Sequence, residues 1–269
     1  MATLTVTILG CGPSPGVPRI GNDWGACDPE NPKNRRSRAA LLVERFATPG
    51  KVTRVLIDAG PDLREQMIAT GVDWVDGVLF THAHADHVHG IDDLRGFVMN
   101  RRRKVDVYMN SETAERVHNA FDYCFRSPKN SGYPPILEDH RIEAGDAVTI
   151  AGDGGPIVAQ AFRQRHGNIQ SLGFRFGAFA YSTDLHLLPE ESYPYVRDLD
   201  VWILGALRYT PHVSHMSVGQ AVALAQQMDA RRTVLTHMHN ELDYATLARE
   251  LPAGIEPGYD GMRFEVEGA

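Results

Sequence analysis

Thr81-His82-Ala83-His84-Ala85-Asp86-His87 places three histidines and an aspartate within six residues. The run follows Gly77–Phe80, which has the length and composition of a short buried strand. Such density beside a buried strand is tolerable only if the groups pair or bind something, so a free polar surface loop is a poor reading. At a strand end alternate side chains point the same way, so His82 and His84 can converge on one point. Asp86 and His87, on the following turn, can face a second point a few Å away. Neutral imidazole and carboxylate together suit zinc, manganese or iron.

The rest of the chain reads as strands and helices in alternation. Leu4–Leu9 is a strand ending in the turn Gly10-Cys11-Gly12-Pro13. Ser14–Arg38, rich in Gly, Pro, Asn and charge, reads as a long ordered loop, a length that is usually functional. Ala39–Glu44 and Val52–Asp58 read as paired strands around Thr48-Pro49-Gly50. Pro61 opens a helix through Thr70, where its missing N–H is harmless. Asp92–Arg101 reads as a helix and Val105–Met109 as a strand. Ser111 is the expected N-cap of a helix through Ala120. Phe121–His140 reads as an irregular aromatic segment, an insertion or lid over a site. From Ala147 onward strands dominate: Val148–Ile150, Ile157–Arg163, Ser171–Phe176, Ala178–Ser182, Val201–Leu204 and Thr233–Leu235. Ser217–Met228 carries apolar residues at helical spacing. Asp243–Leu251 is a closing helix, stopped by Pro252 and Gly254. No internal repeat or low-complexity linker divides the chain, so residues 1–269 read as one α/β domain with helices outside packed sheets.

Composition narrows the function. The formal charge of −7 argues against a nucleic-acid partner. No apolar run approaches the roughly 18 residues a membrane helix needs, and the first residues lack the features of a signal peptide. Three cysteines, odd in number and far apart, fit a reducing, cytoplasmic setting and no disulfide framework.

The run H-x-H-x-D-H resembles the signature of the metallo-β-lactamase superfamily. That resemblance implies a four-layer αββα sandwich and two divalent metal ions, zinc or manganese with iron also suited. It also implies three more ligands downstream. His166 in Arg165-His166-Gly167, Asp184 in Ser182-Thr183-Asp184 and His237 in Leu235-Thr236-His237 stand at those places, each after a strand. By the same resemblance His82, His84 and His166 hold one ion, Asp86, His87 and His237 hold the other, and Asp184 bridges. Two ions roughly 3.5–4 Å apart lower the pKa of a shared water, so hydroxide is available at neutral pH. Asp58, in Leu56-Ile57-Asp58-Ala59-Gly60, reads either as acceptor of a ligand histidine's second N–H or as a cap of the following turn.

The opening Leu9-Gly10-Cys11-Gly12-Pro13-Ser14-Pro15-Gly16-Val17-Pro18 resembles the glycine-rich first turn of the phosphodiesterase branch. Gly21–Cys27, Arg35, Arg36, Arg38 and Leu207–Ser217 add to the likeness, which is to the phosphoribosyl cyclic phosphodiesterases of phosphonate breakdown. It implies hydrolysis of a phosphodiester, a cyclic ribosyl phosphate or nucleotide-like ester. Asp86, Asp184 and His215 form the implied catalytic set, and His215, His212 and Arg208 the substrate contacts. A protonated His215 could stabilise a phosphate oxygen or protonate the leaving alkoxide. His212 and His215 could instead cap the helix near Ser217. That family often carries a cysteine-rich zinc site in the long first loop. Here the loop has only Cys27, so packing and hydrogen bonds must hold it. Arg101-Arg102-Arg103-Lys104 reads as a solvated helix end. The rival readings are a ribonuclease Z-like RNA-processing nuclease, a thioester or lactone hydrolase, and a nucleotide-binding sensor. A symmetric homodimer is the default assembly.

Overall fold

Consecutive residues of the central strands go to different cores. Leu41 and Val43 pack inward between two sheets, while Ala40 and Leu42 pack outward under helices. Burial on both faces explains why these segments are apolar almost throughout. The computed structural model describes residues 3–127, 129–130 and 132–268.

The first half of the chain forms β1 (Thr3–Gly10), β2 (Ala40–Thr48), β3 (Lys51–Ile57), α1 (Leu63–Thr70), β4 (Gly77–Leu79), the one-turn α2 (Ala85–Val88), α3 (Arg95–Arg101), β5 (Val105–Met109), α4 (Ser111–Phe125) and β6 (Leu137–Arg141). The second half forms β7 (Ala147–Ile150), β8 (Ile157–His166), β9 (Ile169–Phe176), β10 (Phe179–Ser182), β11 (Val201–Gly205), α5 (Val218–Met228), β12 (Arg232–Thr236), α6 (Tyr244–Glu250), β13 (Ile255–Pro257) and β14 (Arg263–Glu267). One sheet has the order β14-β1-β2-β3-β4-β5-β6 and the other β13-β12-β11-β10-β9-β8-β7. Strands β3 to β6 run parallel, as do β10 to β13. Loops after parallel strands gather at the strands' C-terminal ends, where α/β folds bind their ligands.

Between the sheets, Val6, Ile8, Val55 and Ile57 meet Phe162, Phe174, Phe176 and Tyr181. Outside the first sheet, Leu63, Met67, Phe97, Ala114 and Val117 of α1, α3 and α4 form the helical cover. Outside the second, α5 contributes Val218, Ala221, Ala225 and Met228, and α6 contributes Leu247. The result is the αββα sandwich expected from the sequence. Among the described residues no helix is long and apolar enough to cross a membrane.

Several local expectations need correction. The N-cap of α4 is Asn110, whose Oδ1 accepts from the Thr113 N–H at 2.9 Å. Ser111 instead donates to Glu143. Pro61 lies in a turn, and α1 begins two residues later. Phe121–His140 is not an irregular lid throughout, because α4 runs on to Phe125 past a non-helical Phe121 and β6 starts at Leu137. Pro128 and Ser131 of that segment lie outside the described residues.

The long first loop is pinned by buried polar groups. Arg36 is 1% exposed, and its guanidinium donates to the carbonyls of Leu242 at 2.6 Å and His239 at 3.1 Å. Asn34 Nδ2 donates to Asp243 Oδ2 at 2.7 Å, and Asn34 Oδ1 accepts from the Tyr244 N–H. Asp260 accepts from the N–H groups of Cys11 and Ser37. Cys27 is a buried free thiol under this network.

Asp243 couples the loop to α6 and should show in acid melts. Its Oδ1 also accepts from the Thr246 N–H as helix N-cap. Burial opposes its charge, but these bonds outweigh burial and draw its pKa down to about 2. The folded pKa lies below the unfolded value of about 3.9. The carboxylate therefore stabilises the fold above about pH 4, and that part is lost as pH falls toward 2. Melts between pH 4 and 2 should fall more steeply for the wild type than for Asp243→Asn. Parallel curves would refute this role.

Candidate metal centre

The sequence-predicted residues meet at the strand ends. His82 and His84 follow β4, Asp86 and His87 lie on α2, His166 ends β8, Asp184 follows β10 and His237 follows β12. They form two groups, His82, His84, His166 and Asp184 in one and Asp86, His87, Asp184 and His237 in the other. Within each group the ligand atoms lie within 4.8 Å of one another. Asp184 belongs to both. Its Oδ1 lies 3.6 Å from His166 Nε2 and 3.9 Å from His82 Nε2, and its Oδ2 lies 3.1 Å from His87 Nε2 and 3.2 Å from His237 Nε2.

Backbone geometry aims these groups. Asp184 and His237 sit at φ +48° and +59°, and Asp58 at +65°, all in the left-handed region. Each turns the chain sharply as it leaves a strand. Gly60 lets α2 come close, because a Cβ there would lie 2.1 Å from the Asp86 carbonyl oxygen.

Neighbouring groups fix the histidine tautomers. The Thr81 hydroxyl donates to Asp58 Oδ2 at 2.9 Å, so it can only accept from His82 Nδ1, also at 2.9 Å. His87 Nδ1 donates to Asp58 Oδ2 at 2.7 Å, and His166 Nδ1 to the Ser214 carbonyl at 2.7 Å. Each of these three rings thus turns its Nε2 toward the cluster. Of the two readings of Asp58, the side-chain bond to a cluster histidine is what the structure contains.

The donor set fits divalent cations. The Nε2 atoms of His82, His87 and His237 are buried without a hydrogen-bond partner, and such orphans are rare unless something else binds them. The carboxylates of the cluster favour positive charge among them. Burial opposes charge on His87, yet Asp184, Asp58 and Asp86 outweigh it and hold its pKa well above the usual value. Burial also opposes charge on Asp184, but His237 and His87 hold its carboxyl well below the usual range. Burial, with His87 beside it, pushes His82 well below its usual value, toward the neutral form that binds metals.

The family model for the beta-lactamase superfamily domain matches residues 53–238. The chain belongs to the beta-lactamase superfamily. A diphosphatase from the PhnP family, known from its crystal structure, is 34% identical, with a TM-score of 0.88 over 99% of this chain and 98% of its own. A protein of Porphyromonas gingivalis (strain ATCC BAA-308 / W83) named octanoyltransferase is 32% identical over 265 residues, which is 97% of this chain and 51% of that protein. A ribonuclease Z of Bradyrhizobium sp. (strain ORS 278) is 30% identical over 162 residues, 59% of this chain and 49% of its own. The chain spans about half the length of the curated relatives it matches.

In this superfamily member the residues expected at the substrate side divide. His215 stands at the centre: its Nδ1 lies 3.7 Å from Asp184 Oδ1, its ring stacks on His237 at 4.8 Å, and it meets His166 edge-on at 4.6 Å. Burial and the neighbouring His237 pull its pKa down to about 3. Among the protein groups alone this favours the neutral ring. His212 lies 5.2 Å from the His215 ring, and its Nδ1 accepts from the Ser214 N–H at 3.3 Å. Neither histidine caps α5, because Ser217 and Gln220 close that end with a reciprocal capping box. Arg208 donates to the carbonyls of Thr210 and Pro211 at 3.3 and 2.9 Å, bracing its own loop.

Other polar groups are paired locally. The basic run is a helix end met by acids: Arg101 lies 3.6 Å from Asp73, Arg103 3.8 Å from Asp76 and over the Trp74 ring, and Lys104 2.7 Å from Glu138. His118 and His140 pair with Asp139 and Asp106, and His186 Nδ1 accepts from the Gly167 N–H. Ser14 is the residue that sequence reading passed over, since in Pro13-Ser14-Pro15-Gly16 it looks like a turn residue. Its hydroxyl donates to Asp86 Oδ2 at 2.9 Å.

Proposed function

We propose that the chain is a dinuclear metallohydrolase that cleaves a small phosphodiester, a cyclic ribosyl phosphate or nucleotide-like ester. His82, His84 and His166 would hold one zinc or manganese ion and Asp86, His87 and His237 the other, with Asp184 shared between the two groups. The observation that carries this reading is Asp184, whose two oxygens serve two separate histidine groups. When bound, such a pair of ions supplies Lewis acidity and a water activated near neutral pH. The protein's own groups do the rest. Asp58, Thr81 and the Ser214 carbonyl hold the histidine rings in one tautomer and one orientation. His215, beside Asp184, offers one N–H to a phosphoryl oxygen.

The diphosphatase and the ribonuclease Z among its relatives support phosphoryl chemistry. The pairing of Arg101, Arg103 and Lys104 with acids favours a small substrate over RNA. The three buried thiols fit a reducing cytoplasm, and we take residues 1–269 as one domain.

The test is hydrolysis of bis(p-nitrophenyl) phosphate by manganese- or zinc-loaded protein, beside a lactone and a thioester. Fast phosphodiester cleavage that chelator abolishes supports the reading. Lactone or thioester turnover alone overturns the substrate class. Affinity for tRNA that falls steeply with salt would favour an RNA substrate. His215→Ala should slow turnover about a hundred-fold, as loss of a donor to a developing charge does, while both ions stay bound. Loss of metal in that variant would make His215 a ligand instead.

A further inference from the structure

We propose that Ser14 contacts the substrate: its hydroxyl donates a hydrogen bond to an oxygen of the phosphoryl group bound at the Asp86 side of the centre. The inference rests on the phosphodiester reading above.

Its place is the first argument. Asp86, His87, Asp184 and His237 are buried, but Ser14 is exposed, so it stands where solvent and substrate reach the cluster. Its Oγ lies 2.9 Å from Asp86 Oδ2, and that oxygen faces His87 Nε2 at 3.4 Å and His237 Nε2 at 3.5 Å. The hydroxyl is thus one hydrogen bond away from the atom that closes the second group.

Its mounting is the second. Prolines on both sides restrict Ser14, and the Gly16 N–H donates to the Pro13 carbonyl at 2.8 Å to close the turn. Arg38 Nε donates to the Ser14 carbonyl at 3.1 Å, and Arg38 Nη1 is anchored on both oxygens of Asp62 at 2.9 and 3.1 Å. Gly12 packs so closely that a Cβ would come within 2.7 Å of the Arg36 carbonyl oxygen. Such rigidity costs little reorganisation on binding, as a donor aimed at developing charge requires.

Chemistry is the third. A cation on Asp86 Oδ2 would weaken that oxygen as an acceptor, and an anionic phosphoryl oxygen would compete for the same proton. His215 lies beside the Asp184 oxygen of the first group, and Ser14 beside the carboxylate of the second. Two donors on two sides match the two non-bridging oxygens of a phosphodiester. A lactone or thioester develops only one oxyanion.

The experiment uses the full chain loaded with manganese, as wild type, Ser14→Ala and Ser14→Thr. Bound metal, orthophosphate affinity by calorimetry, and kcat/KM for bis(p-nitrophenyl) phosphate are measured on each. In Ser14→Ala, metal content and metal affinity should stay within about twofold. Orthophosphate affinity and kcat/KM should both fall about ten- to a hundred-fold, the range for a hydrogen bond to a charged group. Ser14→Thr should recover most of both. Unchanged phosphate affinity and turnover would overturn the proposal. So would a loss of metal affinity with turnover restored at saturating metal, since Ser14 would then only position Asp86. A wild type that binds orthophosphate without cleaving the diester would sink the phosphodiester reading alone, and the orthophosphate comparison would still decide Ser14.

Discussion

Asp184→Ala is expected to lose hydrolysis by roughly a thousand-fold or more, the several kcal/mol a catalytic ion pair contributes, and to retain at most one ion per chain. Among the described residues no other carboxylate of the cluster is shared between the two groups: the histidines beside Asp86 Oδ2, His87 and His237, both belong to the second. Removing Asp184 leaves each group short of a ligand and removes the shared negative charge that would offset the repulsion between two cations. Asp184→Asn separates charge from shape. It keeps the side-chain volume, so the fold should survive, but it should lose the second ion as well. Elemental analysis and diester turnover check both variants. Wild-type turnover in Asp184→Ala would end the bridge assignment.

Arg36→Met is expected to destabilise the fold by at least about 3 kcal/mol, because several buried carbonyls lose their donor together. For a chain of this size that corresponds to a fall in Tm of roughly 6–12 °C. The guanidinium reaches back from the first loop to the Leu242 and His239 carbonyls, just beyond His237. Arg36→Lys should recover little, since an ammonium lacks the planar fork that meets two carbonyls at once. Thermal melts of chelated protein isolate the effect from metal binding. A Tm within about 2 °C of wild type would show that the loop is held elsewhere.

The centre was legible in the sequence because its chemistry is dense. Three histidines and an aspartate beside an apolar strand leave few other readings, and His166, Asp184 and His237 each follow a β-rich segment. Other parts were hidden for physical reasons. β6 reads Leu-Glu-Asp-His-Arg, an edge strand with one apolar residue, and edges do not need the alternating pattern that marks a half-buried strand. β13 is three residues long. Ser14 was hidden because its relevance depends on a contact 72 positions away in sequence. Arg36 was legible as a loop arginine, but nothing local announces a charge buried against backbone carbonyls. Its role emerges only when the segment between β12 and α6 folds over the loop.

The left-handed backbone at Asp58, Asp184 and His237 bears on whether this centre is portable. Each such residue costs roughly 1–2 kcal/mol for a side chain with a Cβ, and it persists only where surrounding structure over-determines it. A designer who copied the same side chains onto idealised strands, with extended torsions throughout, would aim them in other directions. The motif is therefore not a cassette. Its transplant would have to carry the irregular strand ends and the packing that enforces them, and an artificial scaffold stripped of such strain would gain stability while losing the convergence of its ligands.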